Sequence, residues 1–378
     1  MNADRLTRRQ ALRLAGRAGL AATSSVAWAC RNDDHDPGVQ PSPAGAARPG
    51  RFSTVGGRIH GPDGSPFLSL GAHAVCRPWP VPSWWLDRAA ANGRVADARA
   101  WGWNTIRLHL STRPERGGSR AALFDGILRT IDEYTAAGIV VIPVSFDHQR
   151  GEPTLAELAR SGVIDLQDEL VAAHGANPYL WLNPLDEPWA NGDPGRWADV
   201  ALALHDRARS QGFDGLFVWD LPRFGQAIDL LSTSSVGSDL RARTTDLVFG
   251  WHNFGAAPGD RQDHFAQRAL DLHLPVHIGG FGQVWDTTRP SRSPDWPTMD
   301  RDERRGADWV FSRFFRFGMG AVFWHGTGYV GGETSLYCLR EGTNVPWYDR
   351  PGAPPLSEAG RRMMALGTEL LRRTTTAG

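Results

Sequence analysis

The sequence predicts an α/β fold: a single closed (β/α)8 barrel behind a signal segment and a short linker. Three observations lead there. Short apolar or β-branched runs alternate with longer runs of helical period. The alternation repeats eight times in about 320 residues, the size of such a barrel. No glycine-rich phosphate loop follows the first strand, which counts against an open, dinucleotide-binding sheet.

The elements follow in order. Residues 57–64 suggest a hairpin, with Asp63-Gly64 as its turn signal. Strands are expected at 67–74, 104–110 (NTIRLHL), 140–146 (VVIPVSF), 180–185, 216–219, 247–250, 276–279 and 321–324. They are short and rich in branched or apolar side chains, as buried parallel strands are. Helices are expected at 89–101, 121–137, 155–174, 197–211, from 225, and at 261–272, 302–317 and 356–371. Residues 121–137 carry an apolar face at Leu123, Ile127, Ile131 and Tyr134. Residues 155–174 break near Gly162, and Asp193-Pro194 is a start signal for the helix after it.

Residues 1–29 resemble a twin-arginine export signal: Arg8-Arg9, a weakly apolar stretch, then Ala27-Trp28-Ala29 for a signal peptidase. Export is expected, to the periplasm, the medium or the cell surface. Cys30 follows at once and leaves room for a lipid anchor, although Trp28 suits a lipobox poorly. Residues 30–54 read as a polar Pro/Gly linker and 55–373 as the barrel. No further stretch is apolar enough to span a bilayer. The other cysteines, Cys76 and Cys338, follow the first and eighth strands, which are neighbours in a closed barrel, so a disulfide between them is expected.

The 41 basic residues balance the 41 acidic ones, which removes the electrostatic argument for a nucleic-acid partner. Sixteen Trp serve a core, and flat rings with a polar edge also suit sugar faces. His109, His148 and His252 lack close metal-ligand spacing, so neither a metal nor a cofactor is expected; a monomer is.

In a barrel of this kind the chemistry sits at the C-terminal ends of the strands. Those ends offer Arg107 and His109; Asp147 and His148; Asp186, Glu187 and Trp189; Asp220 and Phe224; His252; Gly279 and Gly280; and Trp324. Each has a bland reading: Arg107 as an ion pair, His252 as a core histidine, Asp220 as a helix cap or a partner of Arg223. Their recurrence on successive strands is harder to dismiss.

With those residues in view, the chain resembles the retaining glycoside hydrolases of clan A, most closely the cellulase-like family 5. LDEPW (Leu185–Trp189) resembles the family's Asn-Glu-Pro, Arg107 its second-strand Arg, His252 its sixth-strand His, and Pro222–Gln226 its fifth-strand segment. Trp324 resembles the Trp beneath the sugar. The resemblance implies an oligo- or polysaccharide partner with β-linkages. It implies Glu187 as acid/base, with Arg107, His109, Asp147, His148, Asp186, Trp189, Phe224, His252, Trp285 and Trp324 as substrate-binding candidates. It also implies a nucleophilic carboxylate about 5–5.5 Å from the acid. The family carries that carboxylate after the seventh strand, in a pattern like Pro-Val-x-Ile-Gly-Glu-Phe-Gly. Here PVHIGGFG puts Gly280 at that position. Asp186 stands where the family has Asn, and an ionised Asp accepts hydrogen bonds but donates none.

Three readings follow. The barrel hydrolyses glycosides with a relocated partner, Asp220 first among Asp147, Asp220, Asp286 and Glu333. Or it is a pseudoenzyme that binds glycans. Or it is a structural, interacting barrel at the cell surface. The first is the expectation, with Glu187 and Asp220 as its catalytic pair.

Overall fold

The computed structural model describes residues 47–75, 95–112, 119–148, 151–189, 193–244, 246–255, 259–282, 296–324, 339–341 and 352–376. The signal segment, most of the linker, Cys30, Cys76, Cys338, Trp285, Asp286 and Glu333 lie outside the described residues, and with them the expected disulfide. Among the described residues no helix is long and apolar enough to cross a membrane.

The described chain opens on a hairpin of β1 (Ser53–Val55) and β2 (Arg58–His60). Its turn is Gly56-Gly57, at φ 53° and 78°. Two successive left-handed residues match the twist of a two-residue hairpin, and glycine adopts both without steric cost. Asp63-Gly64, the expected turn, forms the next bend instead, where the Gly64 N–H donates to the Gly61 carbonyl.

Eight parallel strands follow: β3 (Leu70–Val75), β4 (Thr105–Leu110), β5 (Val140–Ser145), β6 (Asn183–Leu185), β7 (Phe217–Asp220), β8 (Leu247–Asn253), β9 (Val276–Phe281) and β10 (Ala321–Phe323). Their order is β6-β5-β4-β3-β10-β9-β8-β7. The two ends of that order meet through a parallel bridge between Leu182 and Phe217, so the sheet closes on itself. Between the strands run α1 (Val95–Ala100), α2 (Arg120–Ala136), α3 (Leu155–Ser161), α4 (Val163–His174), α5 (Pro194–Ser210), α6 (Leu230–Thr233), α7 (Val236–Arg243), α8 (Gly259–Asp271) and α9 (Trp296–Phe317), with α10 (Glu358–Thr376) last. This is the (β/α)8 barrel that the sequence predicts.

Local chemistry sets the helix boundaries. Gly162, at φ 79°, separates α3 from α4. Thr154 starts α3 with a capping box: its hydroxyl accepts the Glu157 N–H, and the Glu157 carboxylate accepts the Thr154 N–H. The helix expected from 225 starts only at Leu230, as α6 and α7. Arg223, Phe224 and Gly225 are all left-handed, at φ 53°, 59° and 75°, and a right-handed helix cannot include them.

Strand alternation divides the side chains into two sets. On β4, Ile106, Leu108 and Leu110 face out to the helices and join the main core with Phe217, Trp219, Phe249 and Ile278. Arg107 and His109, between them, face the barrel interior and are buried. At the N-terminal end the interior is apolar: Val140, Ile142, Trp181, Val218 and Val248 pack with Phe52 and Ile59 of the opening segment. The Phe52 ring meets Phe67, Trp181 and Tyr179 edge-on at 4.8, 5.2 and 5.5 Å. The hairpin thus plugs the barrel floor, beneath the polar interior.

One packing constraint is local enough to test. In α10, a Cβ on Gly367 would lie 1.8 Å from the Trp101 carbonyl oxygen, and one on Gly102 (φ 69°) would lie 2.4 Å from the Gly367 carbonyl oxygen. Gly367→Ala is expected to destabilise the barrel by about 1–3 kcal/mol through overpacking. Urea unfolding followed by Trp fluorescence checks this; an unchanged midpoint would mean that the helix shifts freely.

Candidate functional site

The interior above the apolar floor is built around Arg107. Its Nη2 donates to Asn183 Oδ1 and to Asp220 Oδ2, both at 2.7 Å. Its Nη1 donates to the Gly279 carbonyl at 3.0 Å and stands 3.1 Å from Asp186 Oδ1. Residues of β6, β7 and β9 therefore converge on one buried guanidinium carried by β4. Asp220 Oδ2 also accepts the backbone N–H of Glu187 at 3.1 Å. His252 bridges the upper layer: Nδ1 is 2.9 Å from Glu187 Oε1, and Nε2 is 3.2 Å from Asp220 Oδ2.

Burial and charge divide the protons among these groups. Asp220 is fully buried, which alone would raise its pKa, but Arg107 and then His252 hold it down at about 2. Asp186 is pushed up to about 7, first by burial; Arg107 opposes this, and the charge of Glu187 adds to it. Burial pulls His252 down, yet Asp220 and the hydrogen bonds outweigh it, so its net shift is upward. A protonated imidazole donates to Glu187 and Asp220 at once. The Arg107 Nη1 atom, 3.2 Å from Nε2, is then a neighbour rather than a donor. Lower in the barrel His277 is driven down to about 3 by burial and by Arg107, and its Nδ1 meets Ser69 Oγ at 2.9 Å.

Two departures from regular strand geometry open the site. At the end of β6 the Glu187 backbone is left-handed, at φ 47°. Successive residues of an extended strand point to opposite faces, and this turn breaks that rule, so Asp186 and Glu187 line the same cavity. On β9, residue 278 pairs with Trp251 but 280 pairs with His252. That bulge turns both Gly279 and Gly280 toward the interior. A Cβ on Gly279 would lie 2.9 Å from His252 Nε2, so any side chain there must displace that ring. A Cβ on Gly280 would make only ordinary contacts, 3.5 Å to the His252 ring and 3.6 Å to Phe254. The first glycine makes room for its neighbours, and the second leaves room of its own.

The cavity is lined by His73, His109, Asp186, Glu187, His252, Phe254, Gly280 and Trp324. Its volume is about 10 Å³, the room of one water-sized group. His109 Nε2 meets His73 Nδ1 at 2.5 Å, and His73 Nε2 meets the Gly279 carbonyl at 2.7 Å. His73 is a cavity residue outside the strand-end candidates; its alternation with Ala72 and Ala74 in LGAHAV is the one sequence signal for it.

Other candidates lie elsewhere. Asp220 is beneath the cavity, held by Arg107, His252 and the Glu187 N–H, a position for an electrostatic support and not for a base on water. Asp147 is held by the hydroxyls of Ser111 and Thr112 and by the Thr112 N–H. His148 bonds Ser161 Oγ at 2.7 Å. Trp189 is buried in the main core, 6.2 Å from the Trp219 ring, and not on the cavity wall. Phe224 is buried and does not line the cavity either. Asp186, Asp220 and His252 bring donor atoms within 4.8 Å of one another, as a metal site would. The Arg107 guanidinium already contacts both carboxylates, so the cationic place in that cluster is taken.

No protein-family model matches the sequence, and no curated protein matches it. Solved structures do match. The catalytic domain of a mannanase from Streptomyces sp. SirexAA-E is 20% identical over 84% of this chain and 90% of that chain, with a TM-score of 0.62. The β-mannanase from Streptomyces thermolilacinus with mannohexaose is 23% identical over 83% and 93%, with a TM-score of 0.60. A cellulase is 18% identical over 86% and 95%, with a TM-score of 0.62. At such identities the likeness is one of fold: this chain has the barrel of those glycoside hydrolases.

Two measurements test the site. Gly279→Ala is expected to cost about 1–3 kcal/mol by displacing His252. Gly280→Ala is expected to add about 0.4–1 kcal/mol, because its backbone is not left-handed and the chain loses freedom only when unfolded. Equal effects in denaturant unfolding would mean that the bulge does not distinguish the two. The second concerns pH. With Asp186 raised from 3.8 to about 7, the folded chain keeps a proton that the unfolded chain has released between those values. Stability should therefore fall as pH rises through that window. Asp186→Asn should flatten that fall, leaving the part due to His252; an unchanged profile would place the proton elsewhere.

Proposed function

We propose that this is an exported glycoside hydrolase-like barrel that acts on a β-linked glycan, with Glu187 as its proton donor and an incomplete catalytic pair. The observation that carries the reading is the cavity at the strand ends. It holds Glu187 and Asp186 beside a Gly280 position that the backbone leaves open, against Trp324. An aromatic wall and a buried carboxyl on a histidine, at the C-terminal ends of the strands, suit a sugar bound by its ring and protonated at its glycosidic oxygen. The left-handed backbone at Glu187 supports this, since strain of that kind persists where surrounding contacts over-determine it and gathers at working sites. The twin-arginine pattern supports export.

A second reading, binding without cleavage, is favoured by the described carboxylates. Asp220 is committed to Arg107 and His252, and Asp147 to its hydroxyls, so neither stands ready to replace a residue-280 carboxylate.

Hydrolysis of aryl β-glycosides and oligosaccharides separates the two. If the first reading holds, wild type cleaves and Glu187→Gln loses about 10²–10⁴-fold of the rate. If wild type is inert while Gly280→Glu cleaves, the native barrel binds and does not cut. If no carbohydrate is bound or cleaved by any of the three, the glycan reading fails.

A further inference from the structure

We propose that the barrel wall between β5, β6 and α4 holds a binding site for one ordered water. The water donates to Gln167 Oε1 and to the Trp181 carbonyl, where Pro143 removes a ladder donor. The site shares no residue with the cavity at the strand ends, and every residue that forms it is described.

In α4 the buried side chains fall at Val163, Leu166, Gln167, Leu170 and Val171, so an amide occupies a place in the apolar stripe. Gln167 is only 3% exposed, and a buried amide is costly unless both its ends are paired. One end is: Nε2 donates to the Leu204 carbonyl of α5 at 2.9 Å. Only the NH2 group can give that bond, so the orientation of the amide is fixed and Oε1 is turned away. Oε1 is buried and has no partner among the described residues. Gln167 also lines a cavity of about 10 Å³, the room of one water.

The strands lining that cavity lack a hydrogen bond. They bring Pro143 from β5, and Leu182 and Pro184 from in and beside β6. On β5 the Val141 N–H donates to the Tyr179 carbonyl. Strand residues two apart face the same neighbour, so residue 143 would donate to the Trp181 carbonyl; as a proline it has no N–H. The other proline shows how such a loss is made good. The Leu182 N–H donates to the Leu216 carbonyl, so residue 184 would donate to Val218, and there Asn183 Nδ2 takes over at 3.1 Å. Among the described residues nothing does the same for the Trp181 carbonyl. The other polar side chains of the cavity are committed: Ser145 Oγ to Asp147, and the Asn183 amide to Arg107, Leu185 and Val218. Two neutral acceptors in so small a volume call for a neutral donor of two protons, which is water. A metal cation needs more oxygen ligands than these two. The water ties α4 to the strand that carries Asn183 and leads to Asp186 and Glu187.

The test is a crystal structure of the full chain at a resolution that shows ordered water. Magnetic relaxation dispersion of the water oxygen counts long-lived internal waters in solution beside it. Wild type should show a peak about 2.5–3.0 Å from both Gln167 Oε1 and the Trp181 carbonyl oxygen. Gln167→Leu, which completes the apolar stripe, should lose that peak and lower the count by a single water. Pro143→Val restores the N–H, so a direct bond to the Trp181 carbonyl should displace the same water. Should Gln167→Leu fail to fold, the wild-type map and Pro143→Val decide. A dry cavity in the wild-type map overturns the proposal. So does an unchanged count in Gln167→Leu, or a peak that persists in Pro143→Val.

Discussion

The structure above the barrel floor depends on one buried cation. Arg107, inaccessible to solvent, draws β4, β6, β7 and β9 together through Asn183, Asp186, Asp220 and the Gly279 carbonyl. An unpaired charge at that depth would cost several kcal/mol, roughly, and the planar fork meets that cost by spreading hydrogen bonds over several acceptors. A lysine ammonium offers no such planar span. The consequences run upward. Arg107 orients Asp220, and Asp220 accepts the Glu187 N–H in a left-handed backbone. That turn brings both adjacent carboxyls to one cavity.

The same cation sorts the carboxylates into two kinds. Asp220 sits between Arg107 and His252 and stays ionised to about pH 2. Asp186 shares Arg107 from a less favourable place, faces the charge of Glu187, and holds its proton to about pH 7. A protonated carboxyl donates as well as accepts, so below that value Asp186 offers the hydrogen-bonding options of an amide of nearly the same shape. The difference between Asp and Asn at this position is thus smaller in the buried site than the letters suggest.

Much of the fold was legible in the sequence because buried parallel strands and amphipathic helices have distinct periods. The strand at 104–110 and the break at Gly162 follow from composition alone. The helix from 225 was harder, since nothing in Arg223-Phe224 announces left-handed backbone; tertiary contacts impose it. At the site, strand-end position was enough to single out Arg107, Asp186, Glu187, His252 and Trp324. It could not say which strand-end residues face the cavity. Trp189 and Asp147 have the right place in the order, but the core holds one and a hydroxyl cage the other. Nor could it separate two consecutive glycines, because a bulge is a property of paired strands and not of one.

That bulge has a consequence for natural variation. At 279 a side chain must push the His252 ring aside, so sterics favour the glycine. At 280 sterics are indifferent, and glycine and glutamate codons can differ by a single base. Relatives of this chain should therefore differ in how they treat the two positions. Constancy at 279 reports on folding, whereas the residue found at 280 is free to follow whatever each lineage does at this cavity.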